Sequence, residues 1–217
     1  MPLALFRLRN VATSNVIGML WAAAMFAWFF ISALYMQFVL RYSPLQVGLA
    51  FLPANLIMAA FSLGLSAKLV MRFGIRPPLS VGLLLAAGGL MLFALAPAQG
   101  SFVAHVLPGM LLLGVGAGMA LNPVLLAAMS DVAQSESGLA SGMVNTSFMM
   151  GGALGLAVLA SVAAARTNGL LASGAESITA LNAGYHLAFF VGGLFAVSAG
   201  LFGALFLRIR TNVSQEQ

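Results

Sequence analysis

Charged residues are sparse in this chain, and their spacing limits its possible folds more than any other feature. Lys, Arg, Asp and Glu make up 6% of its 217 residues. The intervals between them are long. Arg9 and Arg41 enclose 31 uncharged residues, Arg41 and Lys68 enclose 26, and Arg76 and Asp131 enclose 54. Glu136 and Arg166 enclose 29, and Glu176 and Arg208 enclose 31. A helix crosses the hydrocarbon core of a bilayer with about 20 apolar residues, so each interval holds at least one crossing. The longest holds two, divided by the polar break Pro97-Ala98-Gln99-Gly100-Ser101. Six spans are expected, at about 16–40, 47–70, 79–95, 105–129, 138–164 and 184–207, within one domain of residues 1–217. Lipid-exposed irregular backbone is not tolerated at that depth, so each span is read as a helix. The fold class is an all-α membrane protein, a six-transmembrane-helix bundle. The first apolar run is longer than a signal-peptide h-region and is expected to stay as a span. The stretch 166–183, rich in Gly, Ser, Thr and Asn, reads as a loop.

Composition narrows the function. The chain is 62% hydrophobic, whereas soluble domains are roughly 45–50% apolar with about 25% charged residues. A soluble enzyme, a disordered tail and a nucleic-acid binder are excluded. The net charge of +5 does not alter this, because the basic residues form no single patch. There is no cysteine, hence no disulfide, thiolate metal site or thiol catalysis. His105 and His186 show no metal-ligand spacing, and neither a metal nor a cofactor is expected. Each histidine falls near a span end, as an interfacial residue or a proton relay. Catalysis inside the membrane would need a nucleophile with a base, paired carboxylates or a metal cluster. No such group stands within the spans, so no enzyme is expected.

Seven basic residues (Arg7, Arg9, Lys68, Arg72, Arg76, Arg208, Arg210) share a side with the termini, against Arg41 and Arg166 opposite. This excess places both termini in the cytoplasm.

Gly48-Leu49-Ala50 opens the second span and Gly138-Leu139-Ala140 the fifth, on opposite sides of the membrane. An inverted three-plus-three repeat predicts such a pair, and chance produces one too in a chain this rich in these residues. Small residues four apart recur at Ser62 and Ser66, Gly114 and Gly118, Gly138 and Gly142, and Gly151 and Gly155. Such pairs let helix backbones approach, as static packing or as faces that slide. Pro53 and Pro123 lie inside spans, where each removes a backbone donor. The carbonyl freed by Pro123 sits beside Asn122.

No Asp, Glu, Lys or Arg lies near the middle of a span, where a proton-coupling acid would stand. Ser14, Trp21, Trp28 and Tyr35 repeat every seven residues and share one helix face. That face either lines a cavity for a flat, greasy or cationic solute or packs against lipid or a neighbouring helix. Gln37, Asn55, Asn122 and Asn145 are the buried amides, able to meet a solute or to bond across helices. Lys68, Arg72 and Arg76 stand at the cytoplasmic exit of the second span, and Gly74 allows a tight turn there.

Three stretches carry a family resemblance. They are Tyr42-Ser43-Pro44-Leu45-Gln46-Val47-Gly48-Leu49-Ala50-Phe51-Leu52-Pro53, the Lys68 to Arg76 stretch, and Gly138-Leu139-Ala140-Ser141-Gly142 with Asn145-Thr146 and Gly151-Gly152-Ala153-Leu154-Gly155. Together they resemble the C-terminal half of major facilitator superfamily transporters, most closely the fourteen-span drug:proton antiporters of the EmrB/QacA type. The resemblance implies half of a major facilitator fold in a plasma (inner) membrane. It makes Lys68, Arg72, Gly74 and Arg76 a degenerate copy of the cytoplasmic loop motif. It implies multidrug efflux of small amphipathic solutes, with Trp28, Tyr35, Gln37, Asn55, Asn122 and Asn145 as candidate cavity residues. Met71 stands where the loop motif usually has an acid, and Phe148 and Met149 stand where relatives often carry Arg-Gln. Protons would act through membrane acids of an N-terminal half that this stretch does not contain. The chain is therefore expected to be a fragment, or a half-transporter paired with an N-terminal half or another chain. A non-transporting membrane subunit and a homodimeric half-size transporter are the alternatives.

Overall fold

A computed structural model describes residues 8–130, 132 and 136–207. Asp131, and Arg7, Arg208 and Arg210 of the charge count, lie outside the described residues. The described chain forms six long helices: α1 Arg9–Val39, α2 Pro44–Phe73, α3 Arg76–Ala94, α4 Phe102–Met129, α5 Ser137–Ala172 and α6 Ser177–Phe206. Each is long and apolar enough to cross a membrane, and no strand occurs among the described residues. Short π-helical turns end α1 at Tyr35–Val39, interrupt α2 at Phe61–Leu65 and open α4 at Phe102–Val106.

The helices run past the apolar stretches. Helix α1 begins at Arg9 and carries the polar Asn10, Thr13, Ser14 and Asn15 into the bundle, all buried. Partners on other helices make this tolerable. Asn10 Nδ2 donates to Ser130 Oγ at 3.2 Å, and Ser147 Oγ donates to Asn15 Oδ1 at 2.6 Å. Arg9 Nε donates to the Phe206 carbonyl at 3.2 Å, so the start of α1 and the end of α6 meet at one end of the bundle.

The stretch 166–183, expected to be a loop, is helical except for residues 173–176. Its polar residues satisfy a helix as readily as a loop, and no proline interrupts it. Helix α5 stops only at Gly174, whose φ of +86° lets Ala175 N–H reach back to the Leu170 carbonyl at 3.0 Å. The α1–α2 corner is equally local. Arg41 takes the left-handed position at φ +61°, and Tyr42 N–H closes on the Met36 carbonyl at 2.9 Å. Ser43 and Gln46 then form a reciprocal cap, with Pro44 as the first helical residue. These bonds explain why Tyr42-Ser43-Pro44-Leu45-Gln46 opens α2.

The packing has the symmetry of an inverted repeat. Exchanging α1 with α4, α2 with α5 and α3 with α6 maps the main interfaces onto one another: α1–α5 onto α4–α2, and α3–α4 onto α6–α1. The exception is α5–α6, which is extensive where α2–α3 is slight. Helices α2 and α5, equivalent in the repeat, are the least covered: 17% and 28% of their most apolar stretches are buried, against 39–61% for the other four.

Glycine sets the approach distances. A Cβ at Gly82 would fall 2.8 Å from the Gly116 carbonyl, and one at Gly116 would fall 2.5 Å from the Gly82 carbonyl. Gly89 and Gly109 repeat this seven residues along α3 and α4, at 2.8 and 3.1 Å from each other's carbonyls. The Gly114–Gly118 pair receives α2 at Ala54 and Phe61, and the Gly151–Gly155 pair receives α1 at Met19 and Ala23. The expected pair Gly138 and Gly142 does not pack within the chain: no atom lies within 4 Å of a Cβ at either. They occupy the less covered side of α5, which leans chiefly on α1 and α6.

Gly116→Val is expected to cost about 1–3 kcal/mol by overpacking, read as a lower midpoint of thermal unfolding in detergent. Gly142→Ala is expected to stay within about 0.5 kcal/mol of the parent.

Candidate functional site

The seven-residue stripe of α1 points inward. Ser14, Trp21, Trp28 and Tyr35 are all at most 1% exposed. Tyr35 Oη donates to the Pro97 carbonyl at 2.9 Å, tying α1 to the loop after α3. The Trp21 and Trp28 indole N–H groups and the Ser14 hydroxyl have no hydrogen-bond partner among the described residues. These rings fill the bundle, in contact with neighbouring helices rather than with open space.

The outward face of α1 lies a fraction of a turn away and is also aromatic. Met25, Phe26, Phe29, Phe30 and Ala33, with Leu156 of α5, line an open groove of about 540 Å³. Its rings are braced from both sides. Phe29 stacks on Phe51 of α2 with centroids 5.4 Å apart, and Phe26 meets Phe148 of α5 edge-on at 6.1 Å. Trp28 stands behind, 4.3 Å from Phe29 and 6.2 Å from Phe51. Phe26, Phe30, Ala33 and Gln37 follow one another at three- and four-residue steps, so they run along one side of α1. This stripe is legible in the sequence as a second helical face by the same spacing, but unlike the tryptophan and tyrosine face it carries no aromatic polar atom.

The amides divide into bonded and free. Asn122 Nδ2 donates to the Ser62 carbonyl at 2.8 Å, across the α2–α4 contact. Ser66 Oγ, one turn on, donates to the Met119 carbonyl at 3.4 Å. Met119 is four residues before Pro123, so its carbonyl is the one that proline deprives of an intrahelical donor. Ser66 thus seals the proline break from the neighbouring helix, and Asn122 ties the same two helices one turn away. Gln37 and Asn55 are half-buried, Asn145 is exposed, and none has a hydrogen bond among the described residues. Gln37 lies one turn along α1 from Ala33, and Asn55 one turn along α2 from Phe51. The structure therefore brings Trp28, Phe29 and Phe51 together, leaves Gln37 and Asn55 unbonded further along the same two helices, and places Asn122 in a separate α2–α4 joint.

At the end of the bundle near the termini, Lys68 and Arg72 are exposed on α2, with the Arg72 guanidinium 5.2 Å from the Phe73 ring centre. Gly74 makes the α2–α3 turn at φ +78°, a conformation that strains any other residue. Arg76 is half-buried, and its Nε has no hydrogen-bond partner among the described residues. The histidines serve local structure. His105 Nδ1 accepts from Ser101 N–H at 3.1 Å, and His186 Nε2 lies 2.6 Å from the Ala96 carbonyl, which makes that nitrogen the donor. No cluster suited to a metal ion occurs among the described residues.

Residues 2–156 match the Major Facilitator Superfamily. Among curated proteins, the puromycin resistance protein pur8 of Streptomyces alboniger is 37% identical over 150 residues, 68% of this chain and 30% of its own length. The cephamycin export protein CmcT of Amycolatopsis lactamdurans is 33% identical over 169 residues, 77% of this chain and 35% of its own. The multidrug resistance protein Stp of Mycobacterium tuberculosis (strain ATCC 25618 / H37Rv) is 33% identical over 165 residues, 76% of this chain and 30% of its own. The chain spans about a third of the length of the curated relatives it matches. Six membrane-crossing helices packed as an inverted repeat, and a family match over most of the chain, lead to one assignment: it belongs to the major facilitator superfamily.

Proposed function

We propose that this chain supplies the C-terminal lobe of a proton-coupled drug exporter, with the aromatic groove of α1 as its part of the solute pathway. The observation that carries the reading is the coincidence of two exposures. The least covered helices, α2 and α5, flank an open apolar groove whose rings they brace. A second lobe seated on α2 and α5 would close that groove into a cavity between two bundles, the arrangement an alternating-access transporter needs. The names of the relatives, a puromycin resistance protein and a cephamycin export protein, support efflux of drug-sized solutes.

In this reading Phe26, Phe29 and Phe30 contact the solute by stacking and cation–π attraction. Gln37, Asn55 and Asn145 offer it hydrogen bonds. Trp28 and Tyr35 hold the wall rigid from behind. No charged residue stands near the middle of a span, so proton coupling falls to acids of the opposing lobe. The membrane is the plasma (inner) membrane, with both termini cytoplasmic.

Drug accumulation in an efflux-deficient bacterium tests this. Co-expression of the chain with the N-terminal portion of a relative is expected to lower accumulation of an amphipathic cation, and a Phe29→Ala, Phe30→Ala double variant is expected to lose most of that effect. Extrusion by the purified chain alone in proteoliposomes would instead make it a homodimeric half-size transporter.

Orientation has its own test, made simple by the absence of native cysteine. Ser177→Cys is expected to react with a membrane-impermeant maleimide in intact cells. Arg72→Cys is expected to react only after permeabilisation, and the opposite pattern would invert the topology.

A further inference from the structure

A second groove opens on the other side of α5, at the end of the bundle remote from the termini. It has a volume of about 480 Å³, and Met91, Leu95, Arg166, His186, Leu187 and Phe190 are among its lining residues. It lies between the end of α3, the far part of α5 and the start of α6, away from the α1 groove. Its chemistry is graded along the membrane normal. Arg166 follows 29 residues after Ser137, the first residue of α5, which places it about 44 Å along the helix axis at 1.5 Å per residue. A bilayer with its headgroups is about 40–45 Å thick, so with α5 starting at one surface Arg166 reaches the headgroups of the other. Leu187 and Phe190 lie progressively deeper along α6, and Met91 lies one turn deeper than Leu95 on α3. These apolar side chains are open to the surroundings: Leu95 is 78% exposed and Phe190 47%.

Arg166 is exposed and has no hydrogen-bond or ion-pair partner among the described residues. It and Arg41 are the two basic residues on a side that the charge asymmetry otherwise keeps free of them. His186 does not compete for a ligand through Nε2. That nitrogen donates to the Ala96 carbonyl at 2.6 Å, and Asn182 Nδ2 reaches the same oxygen at 3.4 Å. These two bonds pin the start of α6 to the end of α3 and fix the groove's wall.

We propose that this groove binds an anionic phospholipid of the leaflet remote from the termini. The Arg166 guanidinium forks onto the phosphate, and the acyl chains lie against Leu95, Leu187 and Phe190. A planar guanidinium suits a phosphate in bidentate geometry, and the apolar floor below it suits the chains of the same molecule. A charged head above an apolar slot, both facing lipid, is the complement of a phospholipid and not of a water-soluble anion. The inference rests on membrane embedding and not on the transport reading.

Native mass spectrometry of the delipidated chain, titrated with phosphatidylglycerol and with phosphatidylcholine, tests it. The wild type is expected to retain phosphatidylglycerol preferentially, and Arg166→Ala to lose that preference by about fivefold, the effect of one basic residue at an anionic surface. Arg41→Ala is expected to leave it unchanged, and Arg166→Lys to keep part of it. Ala183 also lines the groove, and Ala183→Trp, which fills the slot and leaves Arg166 in place, is expected to weaken binding of both lipids, with circular dichroism confirming that each variant stays helical. Equal retention of the two lipids by the wild type, or an undiminished preference in Arg166→Ala, would overturn the proposal. Displacement of phosphatidylglycerol by an equal concentration of glycerol phosphate would do so too, by assigning the site to a soluble anion.

Discussion

Apolar helices in a bilayer gain little by hiding from lipid, because lipid tails are as apolar as leucine. What holds them is close backbone packing and the few hydrogen bonds made between them. In this chain several of the close approaches are glycine against carbonyl. The α3–α4 contact is set by Gly82 on Gly116 and Gly89 on Gly109, each too near for a side chain. The α4–α2 and α1–α5 contacts are set by Gly114–Gly118 and Gly151–Gly155. These last two interfaces are equivalent in the inverted repeat, but the glycine pair stands on α4 in one and on α5, the counterpart of α2, in the other.

Proline tests that scheme, since lipid offers no water to a carbonyl that loses its donor. Pro123 frees the Met119 carbonyl, and Ser66 of α2 supplies the replacement donor while Asn122 bonds back to Ser62. A small residue that permits close approach, Ser66, thus also mends the break it faces. The bond is useful twice: it satisfies the backbone and fixes the register of α2 against α4. The buried indoles of Trp21 and Trp28 show the opposite choice. Their N–H groups stay unpaired among the described residues while their rings fill the core.

Charge spacing made the number and approximate place of the spans legible, because a charge in hydrocarbon is costly and marks where a helix leaves it. Helix ends were less legible. Hydropathy falls where lipid ends, whereas a helix ends where its backbone is capped, so α5 runs on through Arg166 and Asn168 to Ala172, where the turn at Gly174 closes it. Facing was the least legible. A helix that meets protein on one side and lipid or a solute path on another is apolar all round, so period alone does not say which stripe is inside. Trp28 and Tyr35 share a face and so do Phe26 and Phe30, and only the packing of α5 and α2 showed that the first pair is interior. The same ambiguity covers Gly138 and Gly142, a small-residue pair with no partner in the chain.

The character of the α1 groove bears on how selective such a wall can be. An apolar pocket distinguishes solutes that differ by one methylene by only about 1–3 kcal/mol, whereas a site built to bond a polar group rejects its absence far more strongly. The groove presents phenylalanine rings and methionine, with no amide and no charge among its lining residues. Under the proposed reading, shape and greasiness are therefore sensed loosely on this side, because rings that slide over one another accept many outlines. Any sharp selection by charge then has to come from the opposing lobe. The same argument explains why Trp28 and Tyr35 are more useful behind the wall than on it: Tyr35 anchors to the Pro97 carbonyl and Trp28 backs Phe29, so the surface rings stay in place while solutes of different shape pass across them.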